Sequence, residues 1–345
     1  MRPENPELAR LLSERVVPVR LTSLKGVDLS LFDFDYDQTL MALLVSPQGS
    51  IGFRWTARDD EPGAVNGLVQ LLRGPWSFPR SAPTRSSRRL ETDPAFVKTA
   101  RFREACWHCH YAHDAEIAAA RRAGRFEKTS LYRYPPASVL GIAFSGTGST
   151  RVESVATGSP AARAGLRPGD RLVSVDGAKV SCETDVRHVL DRVPERPAGT
   201  LELAWERARA ARSARVELPD GWRVYDISDR PSQGAIPPIL GIWEERVSDS
   251  ERRTLGIPAG GIGLRVSFLF PGAKWAGTRG DLRLGDVIVA VDGDRLSDWS
   301  PRRFHTWLRM NRQVGETARF TVLRSGREVE VALPLVDPGP LEETP

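Results

Sequence analysis

Apolar residues recur at helical spacing over residues 6–16, through Leu8, Leu11 and Leu12, and then bunch at 17–21, which predicts a helix followed by a strand. Leu40–Val45 and residues 51–55 are apolar runs on either side of Ser46-Pro-Gln-Gly49, the pattern of a β-hairpin, and 63–72 returns to helical spacing. A run rich in serine, arginine and proline, 77–89, breaks the pattern before a further helical stretch at 95–124.

The later pattern occurs twice. Leu166-Arg-Pro-Gly-Asp-Arg-Leu-Val-Ser-Val-Asp-Gly177 reappears as Leu282-Arg-Leu-Gly-Asp-Val-Ile-Val-Ala-Val-Asp-Gly293. In both, Gly-Asp supplies a tight turn before an apolar strand, and Asp-Gly is a strong turn dipeptide after it. Each copy follows a Pro-Pro element ending in Leu-Gly-Ile, at 135–142 and 237–242, and leads into a helical pattern and then a hairpin. One fold is therefore expected at 135–220 and again at 238–337. The second copy carries an insertion, 243–263, in which Asp249-Ser-Glu-Arg-Arg-Thr-Leu255 predicts a short helix capped by Ser248 or Asp249 and stopped at Gly256. Residues 221–237 hold Gly221, Pro231, Gly234 and a proline pair with little apolar periodicity, and read as linker; 338–345 reads as a tail.

This order of parts resembles a PDZ domain of the bacterial, HtrA-like type, from Pro135 to about Val336. The resemblance implies two partly open β-barrels that bind protein C-termini or extended peptides. The carboxylate loop would be Val139, Leu140, Gly141 and Ile142 in the first copy, and Ile239, Leu240, Gly241 and Ile242 in the second. Their backbone N–H groups would receive the carboxylate while the peptide adds as a strand to the following edge. Across the groove, Val186 and Leu190, and Phe304 and Leu308, stand at i, i+4 spacing, which suits either a groove wall or an ordinary core. Trp243, Phe268, Phe304 and Trp307 predict a deeper pocket in the second copy. Residues 1–75, read as helix, strand, helix, hairpin, helix, resemble the C-terminal four-fifths of a thioredoxin-like fold. They lack its first strand, its dithiol and the proline expected before Met41, which implies a redox-inactive domain. The expected class is α+β and multidomain: a thioredoxin-like α/β region, a helical Cys-x-x-Cys-His segment over 76–134, and two PDZ-type barrels.

Composition narrows the function. Basic residues number 49 against 44 acidic, a net charge of +5, and only five of the basic residues are lysine. The pI of about 9.4 thus reflects arginine preference rather than a basic face, and nucleic acid is not an expected partner. No run approaches the roughly 18 to 20 apolar residues that span a bilayer. The first residues lack a secretory pattern, so the chain reads as cytoplasmic if Met1 is the true start, and as periplasmic or extracytoplasmic if the start lies upstream. Neither Gly-x-Ser-x-Gly nor Gly-Asn-Ser-Gly-Gly occurs, so serine-protease chemistry is not expected despite the HtrA-like resemblance.

Three cysteines are too few for a disulfide scaffold, and two share the motif Cys106-Trp-His-Cys109-His110. This is the spacing of c-type haem attachment, in which both thiols add to the porphyrin and the imidazole of His110 reaches the metal. His108 and His113 lie close by, but His113 sits one turn from His110 on the same helix face and cannot reach the opposite side of one iron. Three other readings stay open: zinc held by Cys106, Cys109, His110 and His113, a dithiol redox centre at Cys106 and Cys109, and a helix with unused thiols. The whole arrangement resembles bacterial proteins of the planctomycete type that join thioredoxin-like, Cys-x-x-Cys-His and PDZ regions.

Overall fold

The computed structural model describes residues 5–38, 40–57, 64–79, 87–97, 109–194 and 199–337. The chain divides into two compact units, Met1–Tyr225 and Asp226–Pro345. Cys106, Trp107, His108 and Phe102 lie outside the described residues, as does the tail at 338–345.

The first unit opens with α1 (Pro6–Arg15), whose N-cap Asn5 accepts from the amides of Glu7 and Leu8. β1 (Leu40–Val45) and β2 (Ile51–Ala57) pair as an antiparallel hairpin, followed by α2 (Ala64–Arg73). Leu8, Leu11, Phe53, Trp55, Val69 and Leu72 close over one another as their core. The strand expected at 17–21 does not form. Pro18 offers no N–H and the described residues supply no partner strand, so Val17 is 89% exposed and Val19 78%. Residues 17–38 carry neither strand nor helix, so two of the five elements behind the thioredoxin-like expectation are missing. Leu24, Val27, Leu29, Phe34 and Tyr36 from this stretch instead form a second core. It is completed by a 3-10 turn at Leu90–Thr92, α3 (Pro94–Val97) and α4 (Tyr111–Arg122).

The first copy of the repeat completes this unit. β3 (Ile142–Phe144) pairs with β4 (Val152–Val155), and the short α5 (Pro160–Arg163) leads to β5 (Arg171–Val175). A four-stranded sheet follows, in the order β6 (Ala178–Lys179), β5, β7 (Thr200–Arg207), β8 (Ala210–Glu217), with α6 (Glu183–Leu190) between β6 and β7 in sequence. In the second unit β9 (Ile242–Arg246), β10 (Leu264–Leu269), β11 (Val287–Val291), β12 (Thr317–Arg324) and β13 (Arg327–Pro334) form one antiparallel sheet in the order β13-β12-β11-β10-β9. Its helices are α7 (Asp249–Thr254), α8 (Ala273–Arg279) and α9 (Pro301–Asn311). The helix expected in the insertion is α7, capped by the Ser248 hydroxyl on the amide of Glu251.

Strand alternation decides where that insertion lies. Val287 and Val289 pack with Val247 and Ile257, whereas Ile288 packs with Phe304 and Leu308 of α9. The insertion therefore covers the face of β11 opposite α9. The stretch read as linker is also packed: Trp222 joins the first core, and Ile227, Arg230, Ser232, Gln233 and Ile236 are buried in the second unit. Its apolar residues come singly around a 3-10 turn at Pro231–Ala235, so they leave no period to read.

The aspartate of each Leu-Arg-x-Gly-Asp turn has a structural use that the repeat itself did not reveal. Asp170 takes both carboxylate oxygens to the Arg207 guanidinium, at 2.7 Å each, and accepts the amide of Arg167 at 2.8 Å. Asp286 does the same with Arg324, at 2.9 and 2.7 Å, and with the Arg283 amide at 2.8 Å. Burial opposes ionisation of Asp170, but Arg207 and the Arg167 amide outweigh it and hold its carboxyl below the usual range. Each clamp ties the turn to the final hairpin of its copy.

Candidate peptide grooves and the Cys109-His110 segment

In the loop before each edge strand, some of the backbone amides already have partners within the chain. In the first copy, Leu140 and Ile142 are buried in the core and Val139 packs against it half-buried. Gly141 has φ +81°, and a Cβ there would lie 2.2 Å from the Cβ of Ser159, so only glycine fits. The Val139 and Gly141 amides donate to the carbonyls of Pro136 and Ser138, at 3.1 and 2.9 Å. In the second copy Leu240 and Ile242 are likewise core, and the Gly241 amide donates to the Thr278 hydroxyl at 2.7 Å. A ligand carboxylate must therefore use the other loop amides or displace these partners.

Val186, Leu190, Phe304 and Leu308 are each 0% exposed and belong to the cores of their copies. Of the two uses that suit these i, i+4 pairs, their burial favours the ordinary core. His305 Nε2 lies 2.8 Å from Glu244 Oε2 on β9, bridging the two walls, and Glu244 is 2% exposed. One turn on, Arg309 Nη1 donates to Gln233 Oε1 at 2.7 Å, and burial pushes the Arg309 guanidinium down to about 10. A polar pair at i, i+4 one place after an apolar pair is the signal that would have marked His305 and Arg309. Of the aromatic residues expected at the second groove, Trp307 packs half-buried against the core. Phe304 is core, while Trp243 and Phe268, paired across β9 and β10, are 61% and 49% exposed.

In the first copy both walls of the corresponding groove are held by the N-terminal part of the same unit. The free edge of β2 meets the start of α6: the Arg54 amide donates to Asp185 at 3.0 Å, the Thr56 amide to the Thr184 hydroxyl at 3.1 Å, and the Cys182 thiol to the Arg54 carbonyl at 2.8 Å. Side chains of a helix start thus satisfy a strand edge that would otherwise be open to another chain. On the other wall, α2 rests on the β3–β4 turn, so closely that a Cβ on Gly67 would meet the Gly148 amide at 2.7 Å.

Of the Cys-x-x-Cys-His segment, Cys109 and His110 stand at the start of α4, with His110 at its N-cap. His110 Nδ1 lies 3.1 Å from Asp114 Oδ2, one turn on. Burial pushes the Cys109 thiol pKa up. His113 does not share a ligand cluster with Cys109 and His110 among the described residues; its Nδ1 faces Asp37 Oδ2 at 3.3 Å.

Known proteins share part of this arrangement. The PDZ domain family profile matches residues 151–207. Two curated relatives, from Pseudomonas fulva (strain 12-X) and Hahella chejuensis (strain KCTC 2396), are described as probable periplasmic DegP-like serine endoproteases. Each is 25% identical, over 54% and 53% of this chain, and the chain spans only 37% and 38% of their lengths. Among solved structures, the HtrA-type protease AlgW with a tripeptide is 24% identical, with a TM-score of 0.25 over 30% of this chain and 33% of that one. The same protease with a decapeptide is also 24% identical, with a TM-score of 0.24 over 30% of each chain. The first copy of the repeat thus contains a PDZ domain, and the chain is similar to proteins described as DegP-like. No helix among the described residues is long and apolar enough to cross a membrane.

Proposed function

We propose that the chain is a peptide-binding protein whose second repeat, of the same kind as the first, is the principal binding copy. The observation that carries this reading is β9: it follows the x-apolar-Gly-apolar loop, it is the outermost strand of its sheet, and α9 lies along it through the His305–Glu244 bridge. An extended peptide would add to β9 by main-chain hydrogen bonds, with its free carboxylate at the loop of Ile239, Leu240, Gly241 and Ile242. The first copy, with both walls engaged by the N-terminal part, would bind more weakly. Recognition without proteolysis fits a sequence that lacks a serine-nucleophile motif, and the periplasmic naming of the relatives favours an extracytoplasmic setting. The test uses the full chain and a library of labelled peptides, each with a free and an amidated C-terminus, followed by fluorescence anisotropy and by hydrogen exchange at residues 242–246 and 142–144. Tighter binding of the free-carboxylate forms, with protection at 242–246, is expected. Equal affinity of amidated forms would reject C-terminal recognition, and no binding by any peptide would reject the function.

A second reading adds a covalent haem c at Cys106, Cys109 and His110. It is favoured by the carboxylate of Asp114 on His110 Nδ1, the kind of partner that fixes a ligating imidazole and raises the basicity of its other nitrogen. Haem would supply one-electron chemistry or sensing; the two cysteines would anchor it and His110 would ligate iron. The dithiol alternative is less well supported, because a redox-active thiolate needs a lowered pKa and burial raises that of Cys109. Exported with a cytochrome c maturation system, the chain should keep its colour under denaturing conditions; a colourless product would reject haem.

A further inference from the structure

Outside both grooves and the cysteine motif, three buried side chains of the first unit converge. Asp35, Asp37 and His113 are 4%, 5% and 4% exposed, and one ligand atom from each lies within 4.8 Å of the other two. Two come from the turn-rich stretch after Phe34 and the third from α4, so the cluster joins segments about 75 residues apart in sequence. His113 Nδ1 is buried without a hydrogen-bond partner among the described residues, although Asp37 Oδ2 is only 3.3 Å away. The direction to that oxygen does not make a hydrogen bond, so a ring nitrogen buried beside the two carboxylates is left without one. The imidazole is held there by rings: Tyr36 crosses it edge-on at 5.2 Å, and Tyr134 stacks on it at 6.3 Å.

Two buried carboxylates this close favour a positive charge near them, which a bound cation would supply, as would a proton on His113. The Asp35 oxygens already accept the Asp37 amide at 3.2 Å and the Gln38 side-chain amide at 3.1 Å, bonds that orient a carboxylate in the way outer partners orient metal ligands. An imidazole nitrogen with two carboxylate oxygens is a donor set suited to first-row divalent transition ions. Donors about 2.1 Å from such an ion stand at most about 4.2 Å apart, so small side-chain rotations would close the set. Asp35 also borders a narrow cleft lined by Gln38, Tyr134 and His188 together with Arg54 and Arg187.

We propose that Asp35, Asp37 and His113 bind one divalent transition-metal ion of the zinc or manganese type, which pins α4 to the Phe34–Gln38 turn. This site uses none of Cys106, Cys109 and His110, and does not depend on the peptide-binding reading. Its effect would be structural, because the same ion fixes the helix that begins just after Cys109 and, through Tyr134, the segment entering the first PDZ copy.

The experiment is a Co2+ titration of the full chain after removal of metal by chelation, run on the wild type, on a Cys106→Ser/Cys109→Ser variant and on His113→Gln. A single Co2+ with visible d–d bands and no thiolate charge-transfer band is expected in the cysteine variant. His113→Gln should weaken binding at least about tenfold, since losing even an outer-shell partner costs that much. Absence of Co2+ binding by the cysteine variant, or unchanged affinity in His113→Gln, would overturn the proposal and leave an imidazolium–carboxylate pair in the cluster. Should His113→Gln fail to fold by circular dichroism, 113Cd NMR of the cysteine variant decides. A resonance in the range of oxygen and nitrogen ligands, lost on competition with Zn2+, supports the site, and no bound resonance rejects it.

Discussion

The joint between β2 and α6 makes a quantitative prediction about pH. Asp185 is 5% exposed and accepts the Arg54 amide on Oδ1 at 3.0 Å and the Ser181 amide on Oδ2 at 2.9 Å. Burial is the largest influence and outweighs those two bonds and the Arg54 charge, so the carboxyl is pushed up from 3.8 to about 6. Because the folded state binds this proton more tightly than the unfolded state, the contribution is fully present below 3.8 and is lost as pH rises through about 6. At 1.36 kcal/mol per pH unit, the loss is about 3 kcal/mol. Asp185→Asn keeps one acceptor and cannot ionise, so its own contribution is flat with pH. Cys182 is a reporter for the same joint, since it is 0% exposed and its thiol bonds to the Arg54 carbonyl. In a Cys106→Ser/Cys109→Ser background, the labelling rate of Cys182 measures opening of the first unit. Taken as a ratio to Asp185→Asn at each pH, which cancels intrinsic thiol reactivity, it should rise by roughly a hundredfold from about pH 3.5 to about pH 7. A ratio that stays constant, or falls, would refute the argument that burial controls Asp185.

Asp170→Ala and Asp286→Ala should each destabilise their own unit by about 1–3 kcal/mol in denaturant unfolding, because each strips a two-point arginine clamp and the cap of a turn amide. Gly67→Ala would gain up to about 1 kcal/mol of helix propensity at an open site, but here its Cβ meets the Gly148 amide at 2.7 Å, so faster Cys182 labelling is expected. His305→Ala strips the buried Glu244 carboxylate of its hydrogen bond and leaves it only the nearby Arg309 charge, which should cost the second unit about 1–3 kcal/mol, with Glu244→Gln restoring part of the loss in the double variant. Cys109, whose thiol burial holds above its ordinary pKa, should react with iodoacetamide more slowly than a free cysteine at neutral pH.

Local chemistry was legible wherever a few adjacent residues fix the backbone. The Gly-Asp and Asp-Gly turns of the repeat, the hairpin at Ser46–Gly49 and the Ser248 cap on α7 follow from turn and capping preferences that act over three or four residues. The two copies could be paired for the same reason, since those turns recur at the same places. An apolar i, i+4 pair, by contrast, cannot say which side of a helix meets a core and which a groove. Phe304 and Leu308 went inward and left His305 and Arg309 beside β9 and the Gln233 turn. The apolar run at 17–21 looked like a strand, but a strand needs a partner, and pairing is decided by the rest of the fold. Likewise no spacing rule links Asp35 and Asp37 to His113, or Arg54 and Thr56 to Asp185 and Thr184. Those groups meet only because separate hydrophobic clusters bring a turn against α4 and a strand edge against the start of α6. The sequence by itself determined the turns, the caps and the repeated fold; chain packing over long separations decided which buried polar groups face one another.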